Sequence, residues 1–392
     1  MKIALVSEWL DAGRGGAETS ALQFITQLLK HDIDLHVFTR SAPANAPRMT
    51  VHTIPAHGWT RTAASRDFMM KVEVAVQCQP FDIVHAITPC RRADIYQPRG
   101  GTVAESIQRN LALRSSGPTR LVKRVANFFN AKQRNDLAIE REMMRSGAVV
   151  AALSQYVVRQ MKDHYQLPDE RIRLVFNGID HATRSATERE KSRAEIRAEL
   201  GLSNEDLLVI LIAHNFKLKG VATWMEALAL LRSQGVTNVR SLVIGKGVTP
   251  AWHQRNRRLG LEGHLTFTGP TDRAAALRDA ADVLVHPTHY DPCSRVVLEA
   301  LADGLPCVAS RWDGSAEMIE PEVSGLVIHD PGDASALAEA VRKLLDSPLR
   351  AAISKKAMTL RERISMARHA GEMVALYGEV RSKKVSGCNS PT

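Results

Sequence analysis

The sequence predicts an α/β protein made of two open parallel sheets, each covered by helices on both faces. Short β-rich runs alternate with amphipathic, helix-length segments along the chain, the pattern of strand–helix–strand crossovers. At 392 residues the chain exceeds what one hydrophobic core usually organises, so two domains are expected. Asn177-Gly178, a turn dipeptide, separates two such series and marks the boundary between them.

The first series opens with a strand over 3–9, a turn over 11–16 and a helix over 18–30 that places Leu22, Ile25 and Leu29 on one face. Strands over 35–38, 83–86 and 149–153 continue it. Ser154 has the chemistry of an N-cap for a helix over 156–164, and a strand over 173–176 runs into Asn177-Gly178. A charged helix over 184–197 leads into the second series, with buried strands expected at 207–212, 241–244, 265–267, 283–285 and 308–310. The expected domains are therefore 1–178 and 179–364, followed by a helix in 365–385 that crosses back to the first domain. A disordered tail is expected over 386–392.

Composition narrows the partners. Lys plus Arg outnumber Asp plus Glu by 52 to 42, and the resulting +10 favours phosphates, nucleic acid or an acidic membrane face. The five cysteines are scattered and lack CxxC spacing, and the fourteen histidines include no metal-binding spacing, so neither a disulfide framework nor a metal site is expected. The apolar run over 3–6 is too short for a signal-peptide core, and no stretch approaches the ~18 apolar residues of a membrane span. A cytoplasmic location is expected.

In parallel sheets, ligands collect where the carboxyl ends of strands meet helix N-termini, because unpaired N–H groups and the helix dipole converge there. The most informative such place is THYDPCSRVVLEALADG, Thr288 to Gly304, after the strand over 283–285. Asp291-Pro292 makes a turn, and a buried helix follows over 294–303. Ser294, Arg295 and Val296 would offer backbone N–H groups to a diphosphate at that helix start. Asp291 lies in the loop above it and Glu299 eight positions later. Two carboxylates beside an anion site make sense where each binds hydroxyls. The competing reading is a capped helix whose Glu299 pairs with a basic neighbour.

This segment resembles the E-x7-E motif of glycosyltransferase family 4, with Asp291 and Glu299 at the acidic positions and VLEALADGLPCVAS as the continuation. The resemblance implies the GT-B fold, two facing Rossmann-like domains with the donor site in the cleft between them. It also implies that Asp291, with Cys293 beside it, binds the donor sugar, and that Glu299 binds the ribose. The chain departs from the family in having Asp where Glu is usual. HNFKLKGV, His214 to Val221, resembles the family's basic loop, and Lys219 matches the lysine that neutralises the leaving diphosphate; Leu218 stands at the neighbouring basic position, with Lys217 beside it. GRGGAE, Gly13 to Glu18, resembles the family's Gly-rich loop, so that Gly15 and Gly16 would line the phosphate while Glu18 lies near the acceptor. DIYQPRG, Asp94 to Gly100, is similar to a stretch of the lipopolysaccharide core transferases that add glucose to heptose. Gly100 stands where they have an acid and most of the family a His, leaving Asp94, Arg99 and Glu105 as acceptor-side candidates.

The activity implied is retaining, metal-independent transfer of a hexose, with UDP-glucose the first donor, onto a saccharide or glycolipid acceptor, with no cofactor. A sugar-nucleotide epimerase and a catalytically degenerate transferase kept for binding are the alternatives; a nucleic-acid binder fits the charge but no motif. Asp32-Ile33-Asp34 has D-x-D spacing but sits at a helix-to-strand turn far from the phosphate loops, so no metal is assigned to it. The segment 109–145 mixes basic residues with Leu111, Leu113, Leu121, Val122, Val125, Phe128 and Phe129. It suits either a helix lying on an anionic membrane or one packed on its own domain.

Overall fold

The computed structural model describes residues 1–11, 15–41, 48–113, 130–181 and 184–388. The chain forms two compact units, one made of Met1–Asp180 and Ser365–Thr392, the other of His181–Ile364. The second unit is thus inserted between two parts of the first.

The first unit holds strands β1 (Lys2–Val6), β2 (Asp34–Thr39), β3 (Thr50–Thr53), β4 (Ile83–Ala86), β5 (Ile95–Tyr96), β6 (Val149–Ala152) and β7 (Ile172–Leu174). They pair in parallel in the order β3-β2-β1-β4-β5-β6-β7, so the strand order reverses between β1 and β4. The central strands read as unbroken apolar runs because both their faces are covered. One face is packed by the helix Gly16–Leu28, through Phe24 and Leu28, and by the helix Met366–Cys388, through Met373 and Tyr377. The other is packed by Phe68, Val72, Met143 and Met161. Ser154 caps its helix as expected, its side chain accepting the N–H of Val157.

The second unit repeats the plan with β8 (Leu207–Ile212), β9 (Val239–Ile244), β10 (Leu265–Gly269), β11 (Val283–His286), β12 (Cys307–Ser310) and β13 (Leu326–Ile328), in the order β10-β9-β8-β11-β12-β13. Here the reversal falls between β8 and β11. Its core sets Trp224, Met225 and Leu228 against Val209, Leu211 and Val243. The entering helix Ala186–Glu199 starts with a full capping box, Ser185 and Glu188 exchanging bonds.

Three strands escaped the sequence reading. β3 has no buried residue, β5 is two residues long and β13 three, so none offers a run of alternating or continuous apolar residues. One boundary also moves: residues 386–388, expected in a tail, continue the helix Met366–Cys388. Ion pairs of Arg381 with Asp82 and Lys384 with Asp94 hold that end to the sheet, and no proline interrupts before Pro391.

Candidate active site

Lys219 and Asp291 reach one another because β8 and β11 are adjacent at the point where the strand order reverses, the crevice in which parallel sheets bind ligands. Lys219 follows β8 and precedes Gly220, whose φ of 70° and contact with the segment leaving β11 allow no side chain; a Cβ there would lie 2.1 Å from the Pro287 carbonyl oxygen. The basic loop therefore packs directly on the backbone leaving β11. His289 N–H donates to the Leu218 carbonyl at 2.8 Å, tying the two loops together. Leu218 thus contributes backbone rather than charge.

Across this junction Lys219 Nζ donates to Asp291 Oδ2 at 2.5 Å and to the Tyr290 carbonyl at 3.2 Å. Asp291 Oδ1 accepts the N–H of Cys293 at 3.1 Å. Burial pushes the Asp291 carboxyl up, but the Lys219 ammonium and the nearby His286 ring outweigh it and hold it well below the usual carboxylate range. Two groups that sequence reasoning missed complete the cluster. His286, at the end of β11, and Asp313, after β12, are almost fully buried, and His286 Nε2 lies 3.9 Å from Asp291 Oδ2 and 3.7 Å from Asp313 Oδ2. Burial and the neighbouring Asp291 charge raise the Asp313 carboxyl. Asp313-Gly314, a turn pair just past a strand's carboxyl end, was the signal available for one of them.

The helix Arg295–Asp303 begins immediately beyond Asp291. Ser294 is its N-cap but corrects one expectation: its own N–H is donated to Asp313 Oδ1 at 3.0 Å and is not available to a phosphate. Arg295 and Val296, the other two residues expected to face a diphosphate, form the first turn of the helix. Glu299, expected at the ribose, is held between Arg278 at 2.9 Å and Arg295 at 3.0 Å, the basic pairing that had been the competing reading. Arg278 also binds Asp303 at 2.7 Å. Beside this cluster, past the ends of β8 and β9, lies a cavity of about 1160 Å³ whose lining includes Lys217, Trp252, Arg255, Arg257 and Arg258 and no carboxylate.

The first-unit candidates fare less uniformly. Gly15 is the N-cap of the helix Gly16–Leu28 in extended backbone, φ 161°, and Gly16 is the first residue of that helix. Glu18 folds back over it, its Oε2 3.4 Å from where a Gly15 Cβ would stand. Asp94 sits at the amino end of β5, away from the ligand edge, where it accepts Val84 N–H at 2.8 Å and pairs with Lys384 at 2.9 Å; its role is architectural. Arg99 is buried, bonded to Ser20 at 2.5 Å and stacked 5.2 Å from the Phe24 ring centre. Glu105 is likewise internal, bound by Tyr156 at 2.8 Å and His164 at 2.7 Å. Gly100 is exposed with open space around its Cα. Of the segment 109–145, residues 114–129, including Leu121, Val122, Val125, Phe128 and Phe129, lie outside the described residues; the remainder falls in the helices Val103–Ala112 and Ala131–Arg145. No helix among the described residues is long and apolar enough to cross a membrane.

Comparison with known proteins bears on the family and the fold. Residues 14–183 match the model of glycosyltransferase family 4, and residues 192–360 that of the group 1 glycosyl transferases. The Escherichia coli lipopolysaccharide glucosyltransferase WaaG is 24% identical over 88% of this chain and 90% of its own length. Alpha-D-kanosaminyltransferase of Streptomyces kanamyceticus is 28% identical over 68% of each chain. The crystal structure of WaaG superposes with a TM-score of 0.77 at 22% identity, covering 96% of this chain and 99% of that one. Anabaena HepE in complex with UDP and glucose gives 0.72 at 19%, covering 97% and 100%. The two parallel sheets are those of the GT-B fold, and with one family model on each unit the chain belongs to the glycosyltransferases of family 4.

Proposed function

We propose that the protein is a retaining, metal-independent hexosyltransferase that moves glucose from UDP-glucose to a saccharide acceptor of the lipopolysaccharide-core kind. The observation that carries this is the Lys219–Asp291 pair, set in the switch-point crevice at the start of the helix Arg295–Asp303. An ammonium and a carboxylate paired with each other match two groups of one donor: the lysine a diphosphate oxygen, the carboxylate the hexose hydroxyls. Glu299 would take the ribose by giving up one arginine. The sugar–phosphate bond breaks, the bond to the acceptor oxygen forms on the same face, and the acceptor proton passes to the departing phosphate oxygen. Fixed positive charge, from Lys219 and the helix amides, then does what a divalent ion does elsewhere.

The names of the relatives support the choice of donor and acceptor: WaaG is a lipopolysaccharide glucosyltransferase, and HepE was solved with UDP and glucose. Cytoplasmic location and peripheral contact with an anionic membrane through 109–145 belong to the same reading. In support, the described part of that segment carries Arg109, Arg134, Arg141 and Arg145. The test is glucose transfer from UDP-[14C]glucose to a panel of core oligosaccharides in excess EDTA. Transfer should persist, and Lys219→Ala should slow it by about a hundredfold, because an ammonium near one unit of developing charge is worth roughly 4 kcal/mol before solvent screening. Activity that EDTA abolishes and magnesium restores would remove the metal-free mechanism, and epimerised donor without transfer would establish the epimerase instead.

A further inference from the structure

Asp291 and Lys219 differ in how far each can move. The acid is fixed through its backbone: its N–H donates to the Trp312 carbonyl at 2.9 Å, and its carbonyl accepts Gly314 N–H at 3.0 Å, a bridge that lays it alongside Asp313. Cys293 N–H holds its Oδ1 at 3.1 Å. Lys219 reaches Oδ2 on a flexible four-carbon stem and keeps an exposure of 16%, so its head can turn to another anion while the carboxylate stays in place. A lysine drawn onto a diphosphate therefore strands an enclosed charge, which is costly unless something else pairs with it.

The His286 ring is placed to do so. It lies at the end of β11, is 1% exposed, and neither of its nitrogens has a hydrogen-bond partner among the described residues. Buried ring nitrogens are seldom left in that state. Nε2 stands 3.9 Å from Asp291 Oδ2, the same oxygen that Lys219 occupies, and 3.7 Å from Asp313 Oδ2, which is itself unpartnered among the described residues. A shift of about 1 Å would bring the ring within hydrogen-bond range of either acid. Asp313 cannot leave: its Oδ1 accepts the N–H of Ser294 at 3.0 Å, the N–H of Ser315 at 2.9 Å and the Ser315 hydroxyl at 2.6 Å. It thus keeps a basic ring beside Asp291 whatever Lys219 does.

We propose that His286 is a positioning residue that takes the place of Lys219 at Asp291. As the ammonium turns to the donor diphosphate, the ring donates Nε2–H to Asp291 Oδ2 and holds the carboxylate ionised and in place for the hexose hydroxyls. The exchange of partners is a property of these side chains alone; that a donor diphosphate triggers it rests on the transferase reading. His286 then contributes little while Lys219 is paired and much once it has gone, unlike a residue that only fills the core.

Two mutant cycles of the full chain test this. The first compares melting temperatures without ligand for wild type, Lys219→Met, His286→Leu and the double variant. His286→Leu should lower the transition by about 4 °C or more beyond its wild-type effect when Lys219 is absent. His286→Gln, which keeps an N–H donor at the end of its side chain, should remove most of that extra loss. Equal losses in both backgrounds overturn the proposal. The second cycle reads UDP affinity by calorimetry. His286→Leu should weaken it about tenfold in wild type and by under about twofold in Asp291→Asn, where no charge is stranded. A similar loss in both backgrounds, or none in either, would leave His286 a structural residue and overturn the proposal. Wild type that binds no UDP, with the melting cycle as expected, would keep the exchange of partners at Asp291 and sink the donor reading.

Discussion

Removing the Lys219 ammonium should cost the ligand-free protein stability as well as rate. The pair is enclosed, with side-chain exposures of 16% and 17%, and the nearest titratable ring left to Asp291 would be His286, whose Nε2 is 3.9 Å away. Breaking an enclosed pair by deleting one partner costs about 3–5 kcal/mol, and the residual exposure places this one near 3 kcal/mol. For a domain of this size that lowers the melting transition of the second unit by about 6–12 °C. Lys219→Met is the probe, compared by scanning calorimetry with Asp291→Asn and with the double variant. Asp291→Asn should cost less, about 1–2 kcal/mol, because a lysine can turn its head to water. The double variant should recover most of the loss, giving a coupling energy of about 2–3 kcal/mol. Additivity of the two single changes within about 0.5 kcal/mol would refute the reasoning, since it would mean that the carboxylate and ammonium do not compensate one another in the empty site.

Asp291→Asn should lose charge-assisted bonds to the hexose worth roughly 1.5–3 kcal/mol in transfer while leaving UDP affinity nearly unchanged, and Asp291→Glu should alter the ratio of rates among UDP-hexoses. Uniform loss with all donors, measured beside melting temperature, would make Asp291 a purely structural turn residue. Glu299→Gln should weaken UDP binding about tenfold by calorimetry, roughly 1.4 kcal/mol, because an amide cannot take the place of a carboxylate at the ribose. Unchanged affinity would leave Glu299 only its arginine partners. The first unit should lose stability in mild acid. Burial holds the His85 ring down at about 3 and, with Arg99, keeps His369 well below its ordinary value. Both folded values lie under the unfolded one near 6.5, so between those limits the unfolded chain binds more protons and stability falls as pH falls. At pH 5.5 this amounts to about 1.4 kcal/mol for His85, and His369 acts in the same direction. Melting curves of His85→Asn should show a smaller dependence than wild type between pH 7.5 and 5.5, and an unchanged dependence would remove His85 from the account.

The sequence made the second unit legible because its strands are continuous apolar runs: β8, LLVILI, is buried over five of its six residues and its bounds were read directly. Lys219 and Asp291 were legible as motif positions, but their contact was not. It depends on β8 and β11 being neighbours, which only the strand order supplies. The same holds for His286, at the end of β11, and Asp313, after β12; only the Asp313-Gly314 turn pair marked either of them locally. In the first unit Asp94 and Arg99 were singled out from the DIYQPRG stretch, which says nothing of where each side chain is turned. One lies at the amino end of its strand, and the other is turned inward onto Phe24.

The inserted topology sets an order of assembly during synthesis. The face of the first sheet that carries Ile3, Leu5 and Phe24 is closed by Met373, Leu376, Tyr377 and Val380, from the helix that follows the whole second unit. A ribosome therefore delivers every residue of the second unit before the first can complete its core. The nascent protein should carry a finished second unit beside a still-open apolar sheet face, the stretch of its life in which chaperone binding matters most.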